Sequence, residues 1–377
     1  MSVHVAAVGM GRFGKRPEGL IDLAAEAAAL ALDGVGRRPI DLLVVGSMLA
    51  HGSHGPEAVL PRLAGRLGLE SASGLRVDSA SGTGGMAFHA AVLALESGRF
   101  ERALVIAAEK MTDRSTAANT RDLAASLHSS EVAAGATMPG LAALVTQRYL
   151  ERYDRTPAIC DAATVHARAM AARNPAAQFQ KPVTPEEVER SRPVSTPLRL
   201  LHCSAMSDGA TAVVVERGVG PATVLGLGQG FESLRIADRE DLTTFAGTRI
   251  AAQRAYANAK LTPKHIEVAE VHDAFSPFVY IHIEDLGLCE AGGGPDALAT
   301  GELRPDGRIP VNPSGGVIGR GHPVAASGLA EVAEVALQLR GEAGTHAVAR
   351  PPKIGLAHAM SGIGAHNFVT LLGQEST

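Results

Sequence analysis

The chain contains no tryptophan, and aromatic residues make up only 3% of its 377 positions. Proteins that bind single-stranded nucleic acids stack the bases on aromatic rings, so this scarcity argues against such a surface. The formal net charge is −4 and no basic block occurs, which argues against nucleic acid as the main partner. No apolar run reaches the 18 residues of a membrane span, and we expect neither a signal peptide nor a membrane segment.

Cysteine is equally scarce, with only Cys160, Cys203 and Cys289, which lie far apart in the sequence. No CxxC pair occurs, so the spacing supports neither a disulfide framework nor a zinc site. We therefore expect a soluble cytoplasmic protein without a bound metal.

Apolar residues are abundant: they make up 46% of the chain, against 20% charged residues, which suffices for a large core. A length of 377 residues indicates two or three packed units. Early in the chain, strand-like runs alternate with Ala/Leu-rich helical patterns. The strands are expected over 3–8, 41–45, 75–78 and 102–108, and the helices over 20–32, 58–67 and 85–95. Such alternation predicts an α/β layered fold with a mostly parallel sheet.

The pattern changes over residues 116–201, which are helical, polar and rich in proline, and which we interpret as an inserted domain. Beyond it the earlier alternation returns. Strands are predicted over 210–215, 222–227, 268–271, 353–358 and 367–372, and helices over 248–258 and 323–339. Because both halves combine strands, a Gly-rich turn and Ala-rich helices, we predict two similar α/β halves, residues 1–220 and 221–377, with the insertion inside the first.

The first Gly-rich turn, Gly9-Met-Gly11-Arg-Phe-Gly14, matches the GxGxxG fingerprint of dinucleotide-binding proteins. That fingerprint needs a helix that starts within it, so that N-terminal amides meet the pyrophosphate. Here the helical period starts only near Leu20. We therefore interpret the motif as a strand-to-helix loop, and we predict no permanently bound cofactor.

The most informative stretch is NPSGGVIGRGHPVAASG, residues 312–328. It places His322 between Gly321 and Pro323, in a turn that leads into a helix. A histidine held in this way is hard to explain by packing and suits a general base. Ser79, in RVDSASGTGG, lies where a strand runs into a helix, which is the usual place for a nucleophile. A plain helix N-cap is the alternative interpretation of Ser79.

Several strings together resemble the thiolase superfamily. They are VDSASG, GMAFHAA, VIAAEKMTD, NPAAQFQK, PLRLLHCSAMSDGATAVV, HDAF, NPSGGVIGRGHPVAASG and GLAHAMSGIGA, in that order along nearly the whole chain. The similarity points to the archaeal and bacterial lipid-transfer-like (sterol-carrier-type) branch of acetyl-CoA acetyltransferases. It implies two βαβαβαββ halves in a five-layer α-β-α-β-α arrangement, a loop domain that covers coenzyme A, and a homodimer or larger oligomer. It also implies a CoA thioester as substrate and, for this branch, a small OB-fold partner with a zinc ribbon.

The resemblance assigns roles to single residues. His322 would deprotonate the nucleophile and help to hold the thioester oxygen, and His272 in HDAF would support that oxyanion site through a water. His358 would move a proton at the α-carbon of the acyl group. Backbone donors and substrate contacts are assigned to Gly362, Gly364, Asn312 and Gly321.

The chain departs from the family at two positions. Ser79 stands where members carry the nucleophilic cysteine, and Ala359 follows His358 where the related branch has asparagine. A hydroxyl is much less acidic than a thiol and needs a well-aligned base. Three interpretations of Ser79 stay open: a replacement that keeps the geometry but abolishes acylation, a natural member that has left thiolysis, or a serine that still accepts acyl groups.

The function predicted from these features is that of a thiolase-like acyltransferase, which performs Claisen condensation or thiolysis on CoA thioesters. One alternative is a retro-aldolase that cleaves a β-hydroxyacyl-CoA, a reaction that needs enolate chemistry but no acyl-enzyme. Another is a non-catalytic acyl-CoA-binding subunit. With serine at position 79, the sequence predicts no stable acyl-enzyme from acetyl-CoA.

Overall fold

The computed structural model describes residues 2–36, 38–49 and 58–374. The strands in this part of the chain are β1 Val3–Met10, β2 Leu42–Gly46, β3 Ser73–Val77, β4 Arg102–Glu109, β5 Pro193–Ser195, β6 Leu198–Arg199, β7 Gly209–Arg217, β8 Thr223–Phe231, β9 Val268–Val271, β10 Ile354–Ser361 and β11 His366–Gly373. The helices are α1 Leu20–Asp33, α2 Val59–Leu67, α3 Thr83–Glu96, α4 Thr116–Leu123, α5 Ser129–Ala133, α6 Met138–Arg152, α7 Ala158–Ala171, α8 Pro185–Glu189, α9 Ala246–Ala259, α10 Phe278–Asp285, α11 Gly294–Ala299, α12 Gly316–Arg320 and α13 Val324–Arg340.

A nine-stranded sheet runs through the described residues in the order β3-β2-β4-β7-β1-β8-β11-β10-β9. The pairs β2–β3, β2–β4 and β9–β10 are parallel, and the other five neighbouring pairs are antiparallel. The prediction of a mostly parallel sheet is therefore wrong. A helical crossover makes neighbouring strands parallel, as from β2 to β3, whereas β10 and β11 are joined by a tight turn and β7 enters the sheet only after the long insertion.

The predicted five-layer arrangement is confirmed. The two half-sheets meet where His4 of β1 pairs with Thr223 of β8. Between them lie α3 and α13, which pack against each other, against β4 and β7 on one side and against β10 on the other. The outer face of the first half-sheet is covered by α1, and that of the second by α9. The layers are therefore α1, half-sheet, α3 with α13, half-sheet, α9.

One glycine in the first strand of each half lets the outer helix pack closely on the sheet. A Cβ on Gly9 of β1 would lie 2.1 Å from the Ala27 carbonyl oxygen in α1, and a Cβ on Gly228 of β8 would lie 1.9 Å from the Ala251 carbonyl oxygen in α9. Both positions therefore need glycine because the helix backbone approaches so closely. Gly9 thus has a packing role, and α1 begins at Leu20, as the helical period predicted.

The two central helices begin side by side, and this position sets the site. A Cβ on Gly84, in the first turn of α3, would lie 2.2 Å from the backbone nitrogen of Leu329 and 2.7 Å from the carbonyl oxygen of Ala325 in α13. Ser79 precedes α3 by four residues and His322 precedes α13 by two. The packing of these two helices therefore brings both segments to one end of the central layer.

The insertion covers that end of the central layer. Residues 116–201, the range predicted to be inserted, contain helices α4 to α8 and the β5–β6 hairpin. Side chains from this segment line a cavity next to the central helices, among them Thr116, Leu123, Met138, Val194 and Leu200. In the described part of the chain, no helix combines the length and the apolar character needed to cross a bilayer.

Candidate active site

Two adjoining cavities lie where α3 and α13 begin. The Ser79 cavity has a volume of about 480 Å³, and its polar lining residues are Asp78, Ser79, Asp122, Ser126 and Ser361. The His322 cavity has a volume of about 420 Å³, and its apolar lining includes Met111, Leu123, Met138, Met206, Phe275 and Val324. Both cavities are lined by Met48, Ala80, Ser126 and Gly362, so they meet at the turn that carries Ser79.

The backbone bends sharply at Ser79. Ser79 itself has φ −152° and ψ 52°, and the next residue, Ala80, has φ 46°, in the left-handed region that residues with a side chain seldom adopt. The backbone N–H of Ser79 donates to Thr83 Oγ1 at 2.8 Å, which holds the bend. The Ser79 side chain makes no capping hydrogen bond, so the helix-cap interpretation is wrong.

The Ser79 hydroxyl contacts two side chains from the turn and strand of the C-terminal half. Its Oγ lies 3.0 Å from Nδ1 of His366 and 2.8 Å from Oγ of Ser361. Ser361 donates its own hydroxyl hydrogen to the backbone carbonyl oxygen of Ser79. Both Ser361 Oγ and His366 Nδ1 can then accept, so the single hydroxyl hydrogen of Ser79 has two acceptors within reach, one of which is the base His366. Burial lowers the pKa of His366 to about 4, so the ring is neutral near pH 7 and can accept that proton.

His322 lies in the wall of the second cavity. Its Nδ1 lies 2.7 Å from Ser327 Oγ, whose hydroxyl also lies 3.3 Å from the Pro323 carbonyl oxygen; when Ser327 donates to that carbonyl, the His322 Nδ1–H donates to Ser327. His322 Nε2 makes no hydrogen bond to the residues that the structure describes. Burial, followed by the charges of His272 and Arg320, lowers the pKa of His322 well below its ordinary value. With the ring hydrogen on Nδ1, its Nε2 is an acceptor, which suits a base better than an oxyanion donor.

His272 is completely buried beside His322, with ring centroids 5.2 Å apart. Its Nδ1 lies 2.9 Å from Oε1 of Glu331, and its Nε2 has no hydrogen-bond partner among the residues that the structure describes. Burial raises the pKa of Glu331 well above its ordinary value, whereas burial and then the charge of Arg320 lower the pKa of His272 to about 3. When Glu331 is protonated it donates to Nδ1, and the ring hydrogen then lies on Nε2 as a free N–H; when Glu331 is ionised, the ring donates from Nδ1 instead. The raised pKa of Glu331 favours the first arrangement.

The structure does not bring His358 to Ser79. Strand residues alternate between the two faces of a sheet, and His358 points away from α3, towards α9 and α10. Its Nε2 lies 3.3 Å from Asn367 Oδ1 and 3.4 Å from Thr248 Oγ1, and its ring centroid lies 4.3 Å from that of His282. The predicted proton transfer by His358 has no support from this geometry and stays a prediction.

The remaining predicted residues divide between the cavities and their supports. Gly362 lines both cavities. Asn312 is buried, and its side-chain amide pairs with the backbone N–H and carbonyl of Val271, at 2.7 and 3.0 Å, next to His272. Gly321, with φ 105°, and Gly364, with φ 80°, are turn positions that favour glycine. Substrate contacts by Asn312 and Gly321 stay predictions.

Comparisons with known proteins identify the family. Residues 3–218 match the thiolase N-terminal domain, and residues 228–374 match the thiolase C-terminal domain-like family. The chain belongs to the thiolase family. An acetyl-CoA acetyltransferase from Methanothermobacter thermautotrophicus is 38% identical over 353 residues, which cover 91% of each chain. Sterol carrier protein 2 from Gallus gallus is 30% identical over 98% of this chain and 71% of its own length. The solved structure of an Ltp2-ChsH2(DUF35) aldolase has a TM-score of 0.84 at 26% identity and matches 99% of this chain and 98% of its own.

His366 is the residue of this thiolase site that the sequence analysis missed. It follows the GIGA turn and opens the mostly buried strand HNFVTLLG. A single titratable residue at the first position of a buried strand was the available signal. The contact itself was not predictable, because 287 residues separate His366 from Ser79 and only the packing of the two halves joins them.

Proposed function

We propose that this thiolase-class acyltransferase takes an acyl group from a CoA thioester onto the hydroxyl of Ser79. The contact that supports the proposal is the 3.0 Å separation between Ser79 Oγ and the neutral Nδ1 of His366. A serine becomes a nucleophile when a base within hydrogen-bond distance removes its proton. Ser79 Oγ forms a bond to the thioester carbonyl carbon, the C–S bond breaks, and His366 passes the serine proton to the departing sulfur to give CoA–SH.

The His322 cavity suits the rest of such a substrate. Its methionine, leucine and phenylalanine side chains can pack on the aliphatic arm that leads to the thioester sulfur, and methionine adapts its shape readily. In the reverse transfer His322 would take the proton from the thiol of CoA through its bare Nε2. The free N–H of His272, through a water, and the backbone N–H of Gly362 would face the charge that develops on the carbonyl oxygen. The Gly364 turn would hold Gly362 in place.

Retro-aldol cleavage of a β-hydroxyacyl-CoA is the second candidate. It is favoured by the overall likeness to the aldolase, and it would need enolate stabilisation without an acyl-enzyme. The name of that aldolase, Ltp2-ChsH2(DUF35), joins two proteins, and we propose that this chain too works with a small partner protein. We also propose that the protein forms a homodimer and that it is located in the cytoplasm. Support for the dimer comes from β3, an edge strand whose Leu75 is 43% exposed, and support for the compartment comes from the absence of any CxxC pair.

Intact-mass measurement after rapid acid quench tests acyl transfer. The protein is mixed with acetyl-CoA or octanoyl-CoA, and the expected result is the mass of one acyl group on Ser79, located by peptide mapping. Ser79→Ala should lose the adduct, whereas Ser97→Ala should keep it, because Ser97 is an exposed serine at the end of α3. The sequence alone predicted no stable adduct with acetyl-CoA. Because of the contact with His366, we now expect an acyl adduct that forms and then breaks down.

Two outcomes would contradict the proposal. The first is a parent protein that gains no acyl mass at any quench time and releases no CoA, while Ser79→Cys gains the mass. Ser79 would then occupy the nucleophile position without acting as a nucleophile. The second is cleavage of a β-hydroxyacyl-CoA at equal rates by the parent and Ser79→Ala, which would favour the aldolase, because that reaction needs no acyl-enzyme.

A further inference from the structure

We infer that Ser79, His366 and Gln229 form a hydrolytic triad, so that the acyl group on Ser79 is released to water and the protein is a CoA-thioester hydrolase. The inference rests on the proposed acyl transfer to Ser79 and adds the fate of the acyl group. It assigns His366 as a catalytic residue, since it contacts the reacting oxygen, and Gln229 as a positioning residue. The arrangement of nucleophile, base and orienting group is the general logic of triad enzymes.

A run of hydrogen bonds fixes the tautomer of His366. Its Nε2 lies 3.3 Å from Oε1 of Gln229, which can only accept, so Nε2 carries the hydrogen and Nδ1 is bare towards Ser79. The amide nitrogen of Gln229 in turn lies 3.3 Å from Nδ1 of His89, and Nε2 of His89 lies 3.0 Å from Oγ1 of Thr370. His89 is buried, so its two contacts hold the amide in one orientation.

Two aromatic rings hold His366 in place. Phe231 stacks on it with centroids 4.0 Å apart and planes at 21°, and Phe368 lies 4.1 Å away. Phe231 is 63% exposed and thus covers the outer side of the imidazole. His366 therefore keeps its Nδ1 at Ser79 and stays neutral, since burial disfavours the imidazolium.

The chemistry of a serine ester favours water as the acceptor. A thioester is less stabilised by resonance than an oxygen ester, so return of the acyl group from Ser79 to the thiol of CoA is uphill, whereas hydrolysis is downhill. The Ser79 cavity offers a polar route for water beside the apolar His322 cavity, which it meets at Met48, Ala80, Ser126 and Gly362. Its lining includes Asp78, Asp122 and Ser126, which are polar partners for several waters.

The hydrolytic step balances without any further reactant. A water in the Ser79 cavity gives a proton to Nδ1 of His366 as its oxygen bonds to the acyl carbon. The bond from that carbon to Ser79 Oγ then breaks, and His366 returns the proton to the serine oxygen. The products are a carboxylic acid and the starting hydroxyl.

Product analysis in water enriched in heavy oxygen tests this step. The parent should convert octanoyl-CoA into equal amounts of CoA and octanoic acid, and each acid molecule should carry one heavy oxygen. Ser79→Ala and His366→Ala should lower the rate about 10²-fold or more, whereas Ser97→Ala should match the parent. If Ser79 acquires one acyl group, one equivalent of CoA is released and no acid follows, the hydrolase is refuted while acyl transfer stands. If no acyl group reaches Ser79, both proposals fail.

The pH profile of Gln229→Glu separates positioning from mere structure. A carboxylate that accepts from Nε2 should raise the pKa of His366, so the acid limb of kcat/KM, expected near pH 4 in the parent, should move up by at least one pH unit. Among the described residues, the other titratable groups around this ring or cavity are His89, Asp78 and Asp122. The new carboxylate also faces Nδ1 of His89, which Gln229 contacts at 3.3 Å, so the profile is read together with that of His89→Gln, which lacks this second titratable ring. Gln253→Glu, on the exposed side of α9, adds the same charge and should leave the limb in place. Equal profiles for both variants would remove Gln229 from the triad.

Discussion

Gly84 lies in α3 where this helix meets the beginning of α13, and its replacement by alanine should weaken both stability and activity. The added Cβ would lie 2.2 Å from the Leu329 nitrogen, whereas ordinary contact begins near 3.4 Å, so α13 would have to move by about 1.2 Å. Overpacking of a core costs about 1–3 kcal/mol. The higher helix propensity of alanine offsets less than about 1 kcal/mol of this cost. We therefore expect a net loss of about 1 kcal/mol in the free energy of unfolding.

Gly65→Ala is the matched control. Gly65 lies in α2 with open space around a Cβ, so alanine there should stabilise the protein by about 0.5–1 kcal/mol. Urea unfolding, followed by circular dichroism, measures both variants. Because α3 and α13 hold Ser79 and His322, a shift of about 1 Å should also lower kcat of the folded Gly84→Ala protein about 10-fold or more. A Gly84→Ala variant that is as stable as Gly65→Ala, with the kcat of the parent, would refute the close approach of the two helices.

Three further predictions concern the site and its supports. His322→Ala should lower turnover about 10²–10⁴-fold in a steady-state assay, as for loss of a base, and near-parental turnover would remove His322 from the mechanism. Burial opposes ionisation of Asp208, but hydrogen bonds from Lys110 and Thr112 outweigh it and hold the pKa of Asp208 below its ordinary value. Its contribution to stability is therefore present above about pH 4 and lost as the pH falls further. Asp208→Asn should cost about 3 kcal/mol at pH 7 and flatten this acid dependence in urea unfolding, and unchanged stability would contradict the buried ion pair. Calorimetry with NAD(H) and NADP(H) should show no binding. Binding that is abolished by Gly11→Ala would instead support a dinucleotide site at the Gly9–Gly14 motif.

The positions of the helices and strands were largely predictable because their apolar periods are strong. The helix predicted over 323–339 is α13, Val324–Arg340, and the strand predicted over 268–271 is β9, Val268–Val271. Strand direction was not predictable in the same way. The alternation of strands and helices describes connections along the chain, whereas β1 and β4 both pair with β7, which follows the insertion.

The site was predictable only where one short segment contains the signal. The turn around His322 is fixed by neighbouring glycine and proline residues, so the sequence shows it. The contact of Ser79 with His366 depends on the position of β11 beside α3, and no local pattern encodes that distance. The assignment of His358 followed a motif position, but the alternation of β10 places Ser361 on the Ser79 side and His358 on the other.

The contact between Ser79 and His366 bears on the three open interpretations of the serine. A cysteine at the beginning of a helix can become a thiolate through the helix field and a nearby base, because a thiol pKa of about 8.5 lies close to neutrality. A hydroxyl lies too far above neutrality for the helix field alone, so its proton must pass to a base in direct contact. A serine that had only replaced a cysteine would not require such a base. Ser79 has one at 3.0 Å, neutral and with its bare nitrogen towards the hydroxyl. This contact is the one that the proposed acyl transfer to Ser79 requires.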